Sequence, residues 1–479
     1  MAKKNRLPQP GENKMRTMPV GRLLFTMALP LAISMLVQAF YNIVDTYFVS
    51  LVSTDATGAL SFAFPIQNLQ IGCATGIAVG VNSLLSKSLG ENDREKANRT
   101  AGNGIVLMMV MVGLFMLFGF FGTEFYYSLF EVNEVSRQYG IDYTTICSVF
   151  TLGIFVEIMG ERLLQSSGRT VYTLFTQGIG AVLNIILDPL FILGSAGLQE
   201  RFGISLPFAF PAFGVSGAAI ATVIGQWVAA ILAVIFNLTK NPDVKLGLKY
   251  LKLDRAIVGK ILTVGVPSIV MMAIGSVMNF AMNQVFLGFG ATHGQTPANV
   301  FGIYFKLQSL FLMPLFGINN ASISIIAYNF GARQPRRITG TLKWAVGAAL
   351  AIMFIGFGIF QVFPQALMGM FGSSGDESSV ALVQMGIVAM RIVSIHFPLA
   401  AVGIALSASF QALGNGIYST IISVCRQLVA LVPAAYLLSL TGSVDAVWWS
   451  FPIAEVVSMA ASLWFFARIY RQKVKPLFS

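Results

Sequence analysis

Apolar runs long enough to cross a bilayer follow one another along almost the whole chain. Gly104–Gly122, Ala218–Phe236 and Ala345–Phe363 each approach or exceed the roughly 18 residues that mark a spanning helix. Short polar stretches separate the runs. The pattern predicts twelve spans, near residues 23–51, 58–86, 98–121, 138–162, 170–194, 212–237, 256–288, 298–327, 342–364, 383–407, 415–439 and 445–468. The opening Met1–Arg22 is polar and basic, and the run from Leu23 to Val52 is too long for a signal-peptide h-region. The expectation is a chain that keeps its first helix.

Composition agrees with this reading and removes several others. Of the 479 residues, 56% are hydrophobic and 11% charged, where soluble globular proteins carry roughly a quarter charged. The net charge of +11 could suggest nucleic acid, but its distribution follows the loops. With the N-terminus inside, 26 of the 31 Lys and Arg fall on the cytoplasmic side. Only Arg137 and Arg201 fall outside, while Lys306, Arg391 and Arg426 lie within spans. That asymmetry is the positive-inside bias. It predicts a multi-pass plasma-membrane protein with both termini cytoplasmic and no nucleic-acid partner. Cys73, Cys147 and Cys425 lie far apart inside spans and read as small buried apolar groups. Two histidines in all, His293 and His396, make a metalloenzyme improbable.

The two halves repeat in order. Pro30 and Tyr41-Asn42 align with Pro267 and Met278-Asn279 at an offset of 237 residues. Gly76 and Gly90 match Gly317 and Gly331 at 241, and Gln165, Gly168 and Tyr172 match Gln411, Gly414 and Tyr418 at 246. Six spans per half return the chain to its starting side, so the repeats are parallel, as in some secondary transporters. The organisation expected is a tail (1–22), a first lobe (23–239), a linker (240–255), a second lobe (256–468) and a C-terminal tail (469–479).

An ionisable group at membrane depth is a functional candidate by default. Span one carries Ser34, Gln38, Tyr41, Asn42 and Asp45 at steps of three or four, hence along one face. Span five carries Thr173, Gln177, Asn184 and Asp188 in the same way. At about 1.5 Å per residue, both aspartates sit roughly 9 Å from the outer end of their spans. Two acids at matching depth with amide neighbours suit one hydrated pocket that takes up a proton. The same oxygens, with Asn184 and the Thr222 hydroxyl, could instead hold Na⁺. Pro189 leaves the alternative that a helix break exposes Asp188 near the interface.

The second lobe has Met282 at the repeat position of Asp45 and no acid in its first five spans. Its corresponding stripe, Asn279 and Asn283 beside Met282 with Lys306, is a candidate substrate-cavity lining together with Asn42 of the first lobe. Methionine there suits varied apolar ligands or plain packing. Arg426 and Glu455, each roughly 15 Å into neighbouring spans, are expected to pair as a structural ion pair or a gate. Glu161-Arg162 is expected as a solvated pair at a helix end. Lys306 and Arg391 are read as snorkelling or as balancing Glu157.

These residues carry a resemblance. Pro30…Gln38…Tyr41…Asp45, Asn184-Ile-Ile-Leu-Asp188-Pro189, Gly217-Ala-Ala-Ile-Ala-Thr222, Ile326-Ala-Tyr-Asn-Phe-Gly331, Phe410-Gln-Ala-Leu-Gly414 and Pro452-Ile-Ala-Glu455 occur in the order found in the multidrug and toxic compound extrusion (MATE) family. Nearly the whole chain takes part, and it resembles the DinF-type or MepA-type branches. The resemblance implies an all-α bundle of twelve transmembrane helices in two parallel six-helix repeats, two-lobed and V-shaped. It implies a monomeric exporter of toxic organic cations and other small drugs in exchange for H⁺ or Na⁺, among membrane lipids and without a cofactor. It also implies that Asp45 and Asp188 couple the cation, that Asn184, Thr222, Gln38 and Tyr41 assist, and that span one bends near Pro30. The NorM-type branch uses second-lobe acids, which spans seven to eleven lack here.

Two other classes fit these residues less well. A lipid-linked precursor flippase of related architecture needs a strongly cationic cavity, and only Lys306, Arg391 and Arg426 are available. A membrane-embedded enzyme needs a positioned nucleophile or base with a partner, and no intramembrane His/Cys pairing or His-x₄-Asp pattern occurs.

Overall fold

In hydrocarbon the backbone must satisfy its own hydrogen bonds, so a chain of such runs has to fold as helices. The computed structural model describes residues 13–130, 133–205, 207–371 and 377–478, and every regular element among them is helical. Residues 1–12, most of the expected N-terminal tail, lie outside that set.

Eleven helices are long and apolar enough to cross a membrane, and a bent pair brings the number to twelve. In the first half they are Val20–Ser50, Gly58–Gly90, Arg94–Phe121, the pair Glu134–Val149 with Leu152–Ser166, Thr170–Phe202 and Gly214–Lys240. In the second half they are Arg255–Leu287, Thr296–Gly331, Pro335–Val362, Ser379–Ala412, Gly416–Ser439 and Val444–Leu477. We number them spans one to twelve.

Span four bends by 47°. The Trp227 indole N–H of span six donates to the Phe150 carbonyl at 3.2 Å, satisfying a carbonyl at the bend. Spans ten and eleven each change pitch ahead of a proline, which cannot donate to the residue four before it. Span ten passes through a 3₁₀ turn at Ser394–His396 before Pro398. Span eleven widens into a π-helix over Cys425–Leu431 before Pro433. Span one runs as a continuous helix through Pro30, and span five runs through Pro189. The break in span five comes at Gly194, where φ is +66° and a Cβ would lie 2.7 Å from the Phe210 carbonyl oxygen.

By internal packing the residues form two compact units: Ile33–Ile269, called the first lobe, and Val270–Ser479 with the chain through Ala32, called the second. Apolar side chains around Ile77, Val81, Phe155 and Ile261 fill one core of the first lobe. The second lobe packs around Phe286 and Trp448, whose rings stack 4.3 Å apart, with Phe301, Phe360 and Phe397.

The internal repeat is written into the loops. Gly168 and Gly414, matched in the sequence, both close their helices in the left-handed region, at φ 81° and 74°. Their neighbours bond alike: Arg169 N–H to Leu164 O and Asn415 N–H to Phe410 O, both at 2.8 Å. The only non-glycine residues with positive φ among those described are Asn92 and Arg333, at 60° and 53°. They stand at the same offset as Gly76 and Gly317. A strained backbone state shared at equivalent positions is what a duplicated fold retains.

Spans five and six pack closely through small residues. A Cβ on Gly217 would sit 2.3 Å from the Phe191 carbonyl oxygen, and one on Gly225 2.9 Å from that of Gly180. Gly217→Ala is therefore expected to cost about 1–3 kcal/mol of stability through overpacking. Gly178→Ala, with open space around its Cβ, should be near neutral. Thermal unfolding of both variants in detergent checks the contact, and equal melting would refute it.

Candidate functional site

Close approach of spans five and six sets Asn184 against Thr222. The Asn184 amide donates to Thr222 Oγ1 at 3.3 Å and to Asp188 Oδ1 at 3.2 Å. Asp188 is fully buried, on a helix that continues past Pro189. Span one brings Asp45 within electrostatic reach of Asp188. The Tyr41 hydroxyl bonds Gln38 and also faces Asp45, Asp188 and Glu157.

A cavity of about 60 Å³ opens among these groups, lined by Gln38, Tyr41, Glu157, Gln177, Asn184 and Thr222. All six proposed cation-coupling residues thus gather in the first lobe, four of them on the cavity wall. Three buried oxygens at this place have no hydrogen-bond partner among the described residues: Asp45 Oδ1, Asp188 Oδ2 and Asn184 Oδ1. An unpaired buried acceptor is expensive. Acceptors gathered with no donor among them suit a bound proton or a small hard cation, for which oxygen ligands are the natural set.

Glu157 and Glu161 belong to the same polar interior. Glu161 was expected in a solvated pair; it is buried instead, and Arg162 with it. Thr176 Oγ1 donates to one Glu161 oxygen at 2.7 Å and Gln177 Nε2 to the other at 2.9 Å. The Arg162 guanidinium donates to Gln165 Oε1 at 3.0 Å. Glu157, one turn earlier, faces the cavity. Their spacing of four was the available signal, since it puts both acids on one helical face.

The second-lobe candidates are scattered. Met282 is fully buried in the aromatic core beside Phe286, and Asn283 donates to Asn279 Oδ1 one turn earlier. Lys306, Arg391 and Asn42 are exposed. Arg426 and Glu455 do pair, with Nη1 3.7 Å from Oε2.

Thr176→Val removes a bond to a buried carboxylate and should cost about 1.5–3 kcal/mol. Thr176→Ser should retain most of it. Detergent melting temperatures of the two variants test this, and an unchanged Val variant would show that Glu161 does not depend on that hydroxyl.

Eleven or twelve membrane-length helices in two like-built halves, with polar atoms collected inside, define a polytopic membrane protein of transporter architecture. The MatE family profile matches residues 30–190 and 267–437, one segment in each half, and the chain belongs to that family. It is 26% identical to an FAD transporter of Shewanella oneidensis over 94% of this chain and 95% of that one. It is 23% identical to the multidrug export protein MepA of Staphylococcus haemolyticus, over 91% of each. A MATE crystal structure in complex with MaL6 superposes with a TM-score of 0.87 at 23% identity, covering 98% of this chain and 99% of the other. A MOP superfamily transporter from Pyrococcus furiosus superposes at 0.86 and 22% identity, covering 99% and 100%.

Proposed function

We propose that this protein is a plasma-membrane antiporter that exports small organic compounds, mostly amphipathic cations, in exchange for H⁺ or Na⁺. The unpartnered oxygens of Asp45, Asp188 and Asn184 carry the reading. Loading a cation there cancels one negative charge of the Asp45 and Asp188 pair, so the loaded and empty forms differ in charge inside a low-dielectric interior. Exchange follows when cation and drug favour different conformations of one protein. Thr222 holds the Asn184 amide, Tyr41 and Gln38 bridge the acids to the cavity, and Glu157 extends the polar path toward Glu161. The chain acts as a monomer in this reading, with both termini on the cytoplasmic side, where the basic loops lie.

A second cargo has support from one observation, the FAD transporter among the relatives. A flavin dinucleotide is anionic, so it would call for a different cavity from that of a cationic drug.

Asp45→Asn and Asp188→Asn are expected to reduce ethidium export at least tenfold while the protein still inserts. Uptake into everted vesicles under an imposed pH or Na⁺ gradient reads both the coupling ion and the effect of each variant. Normal ethidium export from both variants would sink the coupling role. Gradient-driven uptake of FAD with none of ethidium would transfer the assignment to the second cargo.

A further inference from the structure

Span twelve carries a second carboxylate-centred group, inside the lobe that has no aspartate counterpart. Glu455, Ser458 and Ser462 follow at steps of three and four and so share one face. All three are buried; the Glu455 side chain is 6% exposed. That face meets Gly403 of span ten. A Cβ built on Gly403 would lie 3.7 Å from Glu455 Oε1, 3.8 Å from Ser462 Oγ and 3.9 Å from Ser458 Oγ. The missing side chain therefore leaves a methyl-sized space that three oxygens of span twelve border. Two of them, Glu455 Oε1 and Ser462 Oγ, have no hydrogen-bond partner among the described residues, while Ser458 bonds the carboxylate.

Arg426 does not complete the group. Its Nη1 stands 3.7 Å from Oε2, beyond hydrogen-bond length, and leaves Oε1 unused. The arginine is 31% exposed and sits in the π-helical stretch Cys425–Leu431, a backbone form that recurs at functional sites. Tyr304 of span eight lies within electrostatic reach of both Glu455 and Arg426, beside Gln308. His396, within reach of Arg426, is already committed. Its Nδ1 lies 2.6 Å from the Val393 carbonyl, which can only accept, so Nε2 accepts from Gln308 at 3.2 Å. His396 is not available to serve Glu455.

We propose that Glu455, Ser458 and Ser462, around the space left by Gly403, form a second cation site that takes one Na⁺ or one proton per chain. Arg426 is its built-in competitor. With the site empty, the guanidinium leans on Oε2; a small cation at Oε1 neutralises the carboxylate and frees the arginine. A hard monovalent ion suits a ligand set of one carboxylate and two hydroxyls, all oxygen. The site stands on its own observations and does not depend on coupling by Asp45 and Asp188.

Purified full-length protein in detergent tests this with ²²Na⁺ equilibrium binding, and with proton uptake followed by an indicator dye in Na⁺-free buffer. Asp45→Asn combined with Asp188→Asn should retain one Na⁺ or one proton per chain, and adding Glu455→Gln should abolish it. In otherwise wild-type protein, Gly403→Ala should weaken one site at least tenfold. The added methyl meets its neighbours at ordinary contact distances, so the fold is kept, as the melting temperature will verify. Arg426→Gln should tighten the same site. No cation on the doubly substituted protein, residual binding that survives Glu455→Gln, or an unaltered Gly403→Ala protein would each overturn the assignment. Drug export by the aspartate variants is a separate measurement, so the two proposals fail separately.

Discussion

Hydrocarbon offers a polar atom no water to bond with, and every feature of this chain follows from how that lack is met. The backbone meets it by forming helices, whose hydrogen bonds close within each segment. Breaks in the helices are tolerated where another group steps in, as Trp227 does for the Phe150 carbonyl at the bend of span four. Side chains meet the constraint by bonding backward to their own helix. Thr100, Ser88 and Thr341 each donate to the carbonyl four residues earlier, at 2.8–2.9 Å. Against that background, a buried oxygen left without a donor stands out and calls for an occupant.

Such oxygens gather because small residues let helices come close. Without a hydrophobic drive between helices in lipid, association depends on tight packing and shared polar contacts. Gly180 and Gly225 remove the side chains that would hold spans five and six apart, and this puts Asn184 beside Thr222. Gly403 likewise lacks a side chain beside Glu455, and there room for a methyl group remains. Glycine has two opposite uses in one molecule: closing a distance, and leaving a space.

Much of this was legible in the sequence, and the parts that were not share a cause. Apolar run length depends on composition alone, so the spans could be read directly. The repeat could be read from glycines that hold left-handed turns, because few other residues accept that backbone. The face shared by Gln38, Tyr41 and Asp45 followed from helical spacing. Glu161 was misjudged because its place at a helix end says nothing of Thr176 and Gln177 arriving from the next span. Met282 was a cavity candidate by its place in the repeat, yet packing against Phe286 put it in the core. The space at Gly403 could not be read at all, since it depends on which face of span twelve meets span ten. Period and composition determine what one helix presents; only packing determines what receives it.

The two lobes share a backbone pattern and differ in where they place charge. In the first, Asp45, Glu157, Glu161 and Asp188 stand on spans one, four and five, and hydrogen-bond donors reach Glu161 and Asp188 from span five. In the second, Met282 takes the place of Asp45 in a mostly apolar and aromatic core, so a carboxylate at that position would be buried against it. The burial cost of an unpaired charge explains why acid and polar cluster are absent together. It also explains why Glu455, the one deep carboxylate among the second lobe's described residues, comes with an arginine and two serines at a position with no acid counterpart in the first lobe. Duplication fixes the backbone frame, but a buried charge persists only where its partners persist, so charge drifts in groups rather than residue by residue.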